Sequence, residues 1–575
     1  MNPAANPALR LLLPAWRSRL MLLLLLAGFA VLLVRALYLQ GLNTDFLRER
    51  GAERYGRVLE ITAHRGIITD RHGEPLAVST PLESVWASPD DVRITPEQER
   101  QLAKLLNLNV SELRKRLEDK TRDFVYLRRQ LPPDEAAKVV RLHVPGIFLQ
   151  REYRRYYPAG EVASHLIGFT TVADTGQAGI EFAHQDWLAG KPGSRRVIKD
   201  RRGYIVEDVE GIKTPQEGRD LRLSVDSKIQ YLAYRELKSA VLSHKAAAGS
   251  IVVLDAKSGE VLALANYPSF NPNNHETRDP ARYRNRAVAD LFEPGSTLKP
   301  FTAAAALAAG LYHPETLIHT APGRFEVGGK IIHDVHPSRA LTVAQVIQKS
   351  SNVGAAKMAL ALPKEKLWAM LSGVGFGTVP QSGLSGEAAG RLRGYATWKP
   401  IEQATLSYGH GIAVTLLQLA RAYSVFTSDG ELLPITVLCT EAPSAAEQVL
   451  KREVAIAVRR MLEMATQPGG TAPKAQVTGY RVAGKTGTAH KLENGRYAPD
   501  KYVSSFVGFA PASDPRLIVA VMIDDPRNGA HYGGIVAAPV FSGVMAGSLR
   551  LLAVPPDAPE DLGAPLDAPE VREEV

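Results

Sequence analysis

Fifteen consecutive residues, Leu20 to Val34, carry no polar side chain. Counting on through Arg35 to Leu39 gives twenty residues, about 30 Å of helix at 1.5 Å per residue, which matches the hydrocarbon core of a bilayer. Arg35 then lies near one end, where a long cationic side chain can reach the headgroups. Trp16 and Tyr38 flank the run as interfacial aromatics. Arg10, Arg17 and Arg19 precede it, so the positive-inside rule places the N-terminus in the cytoplasm and the remainder across the membrane. A cleavable signal peptide is the rival, with Gly28-Phe29-Ala30 as its cleavage site. The apolar run continues past that point, which favours an uncleaved anchor.

Beyond the anchor the chain is of ordinary globular composition. It has 575 residues, 45% hydrophobic and 22% charged, enough for about two to four domains. Wholesale disorder and a multi-span transporter are excluded. The net charge is +9, but Asp557 to Val575 holds seven acids and one arginine, so everything before it is +15. That balance suits an anionic polymer, a membrane surface or nucleic acid without choosing among them. Cys439 is the only cysteine, which excludes an internal disulfide and any Cys-based metal site.

Two halves follow. From about 59 to 218 the pattern is mixed. Ile67 to Val78 reads as a hairpin turning at His72-Gly73, and Thr95-Pro96-Glu97-Gln98 has capping-box spacing with Pro at the first helical position. Glycines then punctuate a turn-rich stretch, and Gly211 to Gly218 reads as a boundary. In the second half, Ile251 to Ala265 reads as two apolar strands around Lys257-Ser258-Gly259-Glu260. A long helical region follows, and strand patterns return at Tyr480–Ala489, Tyr502–Ala512 and Leu517–Asp525. A last helix spans about Ala537–Leu552, and a Pro/Ala/acid tail beyond Pro555 reads as disordered. Strands, then helices, then strands indicate an α+β domain whose sheet gathers both ends of the segment.

The best candidate for chemistry is Glu293-Pro294-Gly295-Ser296-Thr297-Leu298-Lys299-Pro300-Phe301. Proline belongs in a first helical turn, where its missing N–H would be unpaired anyway, so Pro300 puts a helix start close to Ser296. Ser296 and Lys299 are three apart and share one face. A serine hydroxyl needs a base to take its proton, and a lysine serves only where burial and nearby positive charge lower its pKa. Alone, an S-x-x-K spacing is weak, arising about once by chance in a chain of this length. Lys349-Ser350-Ser351-Asn352 adds a second hydroxyl and an amide. Gly484-Lys485-Thr486-Gly487-Thr488-Ala489 adds a glycine-rich strand that can accept an extended peptide, with Lys485 and the threonines to attract a carboxylate. Strict alternation would put Lys485 and Thr486 on opposite faces of that strand.

These three groups, in this order and 54 and 135 residues apart, resemble the serine, SxN and KTG motifs of penicillin-recognising acyl-serine transferases. Upstream, Arg65-Gly66-Ile67-Ile68-Thr69-Asp70-Arg71-His72-Gly73-Glu74-Pro75-Leu76-Ala77 resembles the first pedestal motif of class B penicillin-binding proteins. Arg155-Tyr156-Tyr157-Pro158 and Gly179-Ile180-Glu181 resemble the next two. Together the matches cover nearly everything from about 60 to 550, and the nearest kind is the division-specific class B enzyme.

The resemblance implies an α+β penicillin-binding/transpeptidase fold, an antiparallel sheet with flanking and inserted helices, plus an N-terminal mixed α/β pedestal domain and one transmembrane helix. The expected divisions are a cytoplasmic stretch 1–19, anchor 20–39, linker 40–58, pedestal (dimerisation or partner) domain 59–218, transpeptidase domain 219–554 and acidic tail 555–575. Ser296 would be the acylated nucleophile and Lys299 its base. Ser350 would relay a proton to the leaving amine, Asn352 would hold Lys299 and the substrate amide, and Lys485 would support the relay. Thr486 and Thr488, flanking Gly487, would bind the terminal carboxylate. The N–H groups of Ser296 and Thr488 would form the oxyanion hole.

Tyr408-Gly409-His410-Gly411 departs from the family, which has Tyr or Gln where His410 stands; a histidine there could make activity pH-sensitive. The implied reaction is cross-linking of peptidoglycan stem peptides at the septum, with a D-Ala–D-Ala donor, an amine acceptor and β-lactams as covalent inhibitors. No cofactor and no metal are expected. The implied setting is the bacterial inner membrane with the catalytic domain periplasmic, beside a SEDS-type glycosyltransferase and other division proteins. A divisome scaffold with weak or no acyl transfer, an elongation-type transpeptidase and a D,D-carboxypeptidase stay open as alternatives.

Other readings fare worse on physical grounds. Gly479 to Thr486 satisfies G-x-x-x-x-G-K-T, but a phosphate-binding loop needs small residues after an apolar strand and then a helix facing the phosphate. Here Tyr480, Arg481 and Val482 fill the interior and Gly487 follows at once. No nucleic-acid recognition module accompanies the basic charge. Arg65, Asp70 and Arg71 read as a structural ion network.

Overall fold

The computed structural model describes residues 15–42, 56–122, 124–199, 205–274, 279–440, 445–493 and 495–558. The apolar run forms one helix, Ala15–Leu37, continued by a π-helical turn over Tyr38–Leu42. Its side chains are exposed from Trp16 to Leu37, and Trp16–Gln40 is long and apolar enough to cross a membrane. The stretch before Ala15, positions 43–55 of the expected linker and the acidic tail after Ala558 lie outside the described residues.

By packing, the chain divides into two compact units that alternate along the sequence. Met1–Ala63, Pro81–Glu152 and Lys191–Gln216 form one; His64–Thr80, Tyr153–Gly190 and Glu217–Val575 form the other. In the smaller unit, strands Gly56–Ile61, Gly193–Lys199 and Ile205–Lys213 make a three-stranded antiparallel sheet. The last of these runs through Gly211, where a boundary reads from sequence. Helices Pro96–Leu105, Val110–Glu118 and Pro133–Val140 pack with strand Val125–Leu131 around Leu102, Leu113, Leu127 and Val139. Thr95 and Gln98 form the reciprocal capping box their spacing predicts, with Pro96 in the first turn.

The larger unit is built on five antiparallel strands. They are β1 (Ala248–Asp255), β2 (Val261–Tyr267), β3 (Ala483–Glu493), β4 (Arg496–Ala510) and β5 (Leu517–Asp524), in the order β2-β1-β5-β4-β3. The sheet therefore joins both ends of the segment, with Leu517 opposite Asp255 and Asp524 opposite Ala248. Period-two alternation assigns its faces. On β5, Leu517, Val519, Val521 and Ile523 pack with helices α1 (Ser227–Ser243) and α5 (Ala538–Leu551). Ile518, Ala520 and Met522 belong to the core that includes helix α2 (Lys299–Ala308), with α3 (Val343–Lys349) and α4 (Asn352–Ala361) beyond. A sheet buried on both faces reads as near-continuous apolar runs, which is how β1 and β5 are legible.

Segments 64–80 and 153–190 pack with this larger unit, and an ion network ties the two segments to each other. Glu181 takes the Nε of Arg65 at 2.7 Å and the Nε of Arg155 at 2.6 Å, and all three side chains are at most 1% exposed. Three motifs spread over more than a hundred residues thus meet at one buried carboxylate. Asp70 accepts the N–H groups of His72 and Glu74 inside the expected hairpin turn, and its other oxygen accepts the Ser227 hydroxyl at 2.8 Å. At the far end, Asp557 accepts the Arg481 N–H at 2.7 Å and Ala558 donates to the Gly479 carbonyl, so the chain stays docked to that point.

Candidate active site

A single 3-10 turn, Gly295–Leu298, leads into α2, with Pro300 in the first helical turn. Ser296 is 5% exposed and Lys299 is fully buried, and Lys299 Nζ lies 2.8 Å from Ser296 Oγ. The turn is held from several sides. The Tyr423 hydroxyl donates to the Thr297 carbonyl at 2.8 Å, and the Thr302 hydroxyl donates to the Ser407 carbonyl at 2.8 Å. Gly409 (φ 90°) comes so close that a Cβ on it would stand 2.1 Å from the Gly295 carbonyl oxygen. Only glycine fits there, by backbone angle and by space.

The second motif sits at a junction of two helices. Helix α3 ends at Lys349, Ser350 caps it in the left-handed region (φ 60°, ψ 38°), and Ser351 caps α4 by accepting the Gly354 N–H at 2.9 Å. A non-glycine residue in that conformation is costly and persists where its surroundings enforce it. Here the enforcement includes Lys299, whose Nζ donates to the Ser350 carbonyl at 2.5 Å and lies 3.0 Å from its Oγ. Asp334 fixes the next residues, accepting the Ser351 hydroxyl at 2.6 Å and the Val353 N–H at 2.9 Å. Asn352, expected beside Lys299, donates its amide to the His333 carbonyl at 3.2 Å.

The third motif lies on β3, the edge strand. Lys485 and Thr486 are fully buried. Edge position resolves the alternation problem, because the lysine stem bends back to place Nζ 3.1 Å from Thr486 Oγ1 and 3.4 Å from its carbonyl oxygen. Thr471 completes the group, with its hydroxyl 2.9 Å from that of Thr486. Thr488 Oγ1 accepts the Gly533 N–H at 3.1 Å. Gly487 permits close approach to the nucleophile turn, since a Cβ there would stand 2.7 Å from the Pro294 carbonyl oxygen.

The rim departs from expectation in its charge. Tyr408 and His410 meet edge to face with ring centroids 5.3 Å apart, and His410 Nδ1 is 3.5 Å from Glu293. Burial first, then the positive charge of Lys299, pushes the His410 pKa down to about 4, so the ring is neutral at physiological pH. Glu293 accepts the Gly411 N–H at 2.8 Å and the Tyr497 hydroxyl at 3.0 Å, and burial raises its pKa. Sequence reasoning missed Asp334, Tyr423, Thr471, Glu293 and Tyr497 as site residues. Glu293 alone carried a signal, standing three places ahead of the serine.

Ser296, Lys299 and Ser350 therefore converge on one hydrogen-bonded cluster beside an edge strand, the arrangement of an active-site serine acyltransferase. The chain belongs to the penicillin-binding protein transpeptidase family. The penicillin binding protein transpeptidase domain matches residues 249–546, and the penicillin-binding protein dimerisation domain matches residues 60–223. The chain is 43% identical to the probable peptidoglycan D,D-transpeptidase PenA of Neisseria gonorrhoeae over 535 residues, 92% of each chain. It is 42% identical to the peptidoglycan D,D-transpeptidase FtsI of Escherichia coli K12 over 551 residues, 95% of this chain and 93% of that one. Among solved structures, the transpeptidase domain of Burkholderia pseudomallei penicillin-binding protein 3 is 47% identical with a TM-score of 0.55, covering 59% of this chain and 98% of that one.

Proposed function

We propose that this protein is a serine-type peptidoglycan D,D-transpeptidase that cross-links stem peptides at the division septum and is acylated by β-lactams. The observation that carries the reading is Lys299 Nζ between Ser296 Oγ at 2.8 Å and Ser350 Oγ at 3.0 Å, in a fully buried position. Ser296 attacks the carbonyl of the D-Ala–D-Ala amide while Lys299, in its uncharged amine form, takes its proton. The proton passes through Ser350 to the departing nitrogen, and free D-alanine leaves. An amine on a second stem then attacks the acyl-serine ester and restores Ser296.

The remaining roles are those that the family resemblance implies. The backbone N–H groups of Ser296 and Thr488 stabilise the oxyanion. Thr486 and Thr488, flanking Gly487, take the terminal carboxylate, with Lys485 behind them. Asn352 binds the substrate amide, and Tyr408 and His410 form the rim. The pedestal over 59–218 serves as a partner-binding domain to the transpeptidase domain over 219–554. The N-terminal helix anchors the chain in the bacterial inner membrane, N-terminus in the cytoplasm, with a SEDS-type glycosyltransferase and other division proteins as partners. Intact-mass spectrometry after benzylpenicillin treatment, with peptide mapping, tests the core of this: one adduct on Ser296 is expected, and none, or one elsewhere, refutes it. A donor peptide with an amine acceptor separates transpeptidation from hydrolysis.

A further inference from the structure

The edge strand that carries Lys485 and Thr486 is held at its entry by the far end of the chain. β3 pairs with β4, and their ladder starts at Ala483 opposite Phe509. Two residues earlier the Arg481 carbonyl accepts the Ala512 N–H at 2.7 Å, while the Arg481 N–H donates to Asp557 Oδ1 at 2.7 Å. The other Asp557 oxygen accepts the Ser513 N–H at 3.2 Å and the Ser513 hydroxyl at 2.5 Å, between β4 and β5. One carboxylate thus adds a rung beyond the sheet, closing the mouth between β3 and its neighbour. Hydrogen bonds from backbone N–H groups to a carboxylate are about twice as strong as neutral ones.

The segment that bears Asp557 is itself fixed. Helix α5 ends at Leu551. Beyond it, the Tyr480 hydroxyl donates to the Val554 carbonyl at 2.6 Å, and the Ala558 N–H donates to the Gly479 carbonyl at 3.1 Å. The Arg481 side chain reaches Glu463 in helix Arg452–Thr466, at 2.7 and 2.8 Å. From the same helix the Thr466 hydroxyl donates to the Val482 carbonyl at 2.6 Å. Residues 479–482 are therefore held both by that helix and by the C-terminal segment.

Lys485 stands four residues on from Arg481, about 13 Å along a strand at about 3.3 Å per residue. Strand ends fray first, because the last rungs have the fewest neighbours. The nucleophile turn packs farther along the same strand, at Gly487 and Thr488. The strand's entry therefore bears on where Lys485 and Thr486 stand relative to Ser296.

We propose that Asp557 is a positioning residue of the transpeptidase. Through Arg481 and Ser513 it holds the entry of β3, so that Lys485, Thr486 and Thr471 stand where the donor's terminal carboxylate reaches them. It touches no reacting atom, and its role rests on the transpeptidase reading. The clamp is complete at Ala558, and residues 559–575 take no part in it. Losing it weakens recognition of the carboxylate more than chemistry at Ser296, whose turn is held separately by Tyr423 and Gly409.

The test uses the full chain in detergent, truncations after Ala558 and after Pro556, and the variants Asp557→Ala and Asp557→Asn. Each is acylated by benzylpenicillin and by its methyl ester, which keeps the reactive ring and lacks the negative charge. Second-order rates are read by intact mass. The wild type should favour the acid, and truncation after Ala558 should match it. Truncation after Pro556 and Asp557→Ala should each lower the acid-to-ester ratio at least about fivefold, the scale of one net hydrogen bond. Asp557→Asn keeps one acceptor oxygen and should fall between. A general loss of stability slows both compounds alike and leaves their ratio in place. An unchanged ratio without Asp557, an equal fall in both truncations, or a wild type that treats acid and ester alike overturns the proposal. No adduct on wild-type Ser296 with either compound sinks the transpeptidase reading itself.

Discussion

Lys299 Nζ lies 2.8 Å from Ser296 Oγ, one helical turn away, and neither side chain is more than 5% exposed. The pair is rigid because the chain on either side is tied down. Pro300 starts α2, Tyr423 holds the carbonyl of Thr297, and Gly409 presses on Gly295. Replacing Ser296 with Ala is expected to abolish the benzylpenicillin adduct. Lys299→Ala should leave folding intact but slow acylation by about 10²- to 10⁴-fold, the usual contribution of a positioned general base, as read from the rate of labelling by a fluorescent penicillin.

Gly409→Ala puts a methyl group 2.1 Å from the Gly295 carbonyl oxygen at a φ of 90°. The loop must move and the nucleophile turn with it. Acylation should fall by at least about tenfold, since small displacements of reacting groups cost that much or more. An Ala substitution at Gly310, where φ is 71° but nothing lies within 4 Å, is the control for backbone strain alone.

His410 and His165 both have pKa values pushed down to about 4 by burial. The unfolded chain takes up these protons below about pH 6.5, whereas the folded chain does so only near pH 4. Their contribution is therefore complete above pH 6.5 and is lost as pH falls toward 4, by roughly 3 kcal/mol for each group at most. Asp174, raised by burial to about 6, acts in the opposite sense over nearly the same window. The clean measurement is a difference: between pH 7 and pH 4.5, urea midpoints should drop less for His410→Tyr than for the wild type. Acylation rates of the two should run parallel above pH 6 and diverge only toward pH 4, so the pH sensitivity expected of a histidine at this place is moved out of the physiological range.

Glu181→Ala leaves Arg65 and Arg155 buried without their counter-ion. Loss of about 3–5 kcal/mol is expected in equilibrium unfolding, because the two charges remain desolvated after their partner is gone. Glu181→Gln keeps the shape and should cost less. Equal and negligible effects of both would show that the network does not hold segments 64–80 and 153–190 to each other.

Much of this protein was legible in one dimension because its signals are local. Fifteen apolar residues define the N-terminal helix, Pro300 marks the start of α2, and the near-continuous apolar runs of β1 and β5 mark a sheet covered on both faces. Ser296, Lys299, Ser350 and Lys485 could be named because each lies in a short motif whose chemistry needs that residue type. The rest depended on groups brought together from far apart. Asp334 reaches Ser351 and Val353, Thr471 meets Thr486, Tyr497 reaches back to Glu293, and Glu181 gathers two arginines. None of these residues has a pattern around it, since a single long-range hydrogen bond leaves no periodicity in a sequence. The titration of His410 belongs to the same group: its identity is written in the chain, but the burial and the neighbouring Lys299 that keep it neutral exist only once the chain has folded.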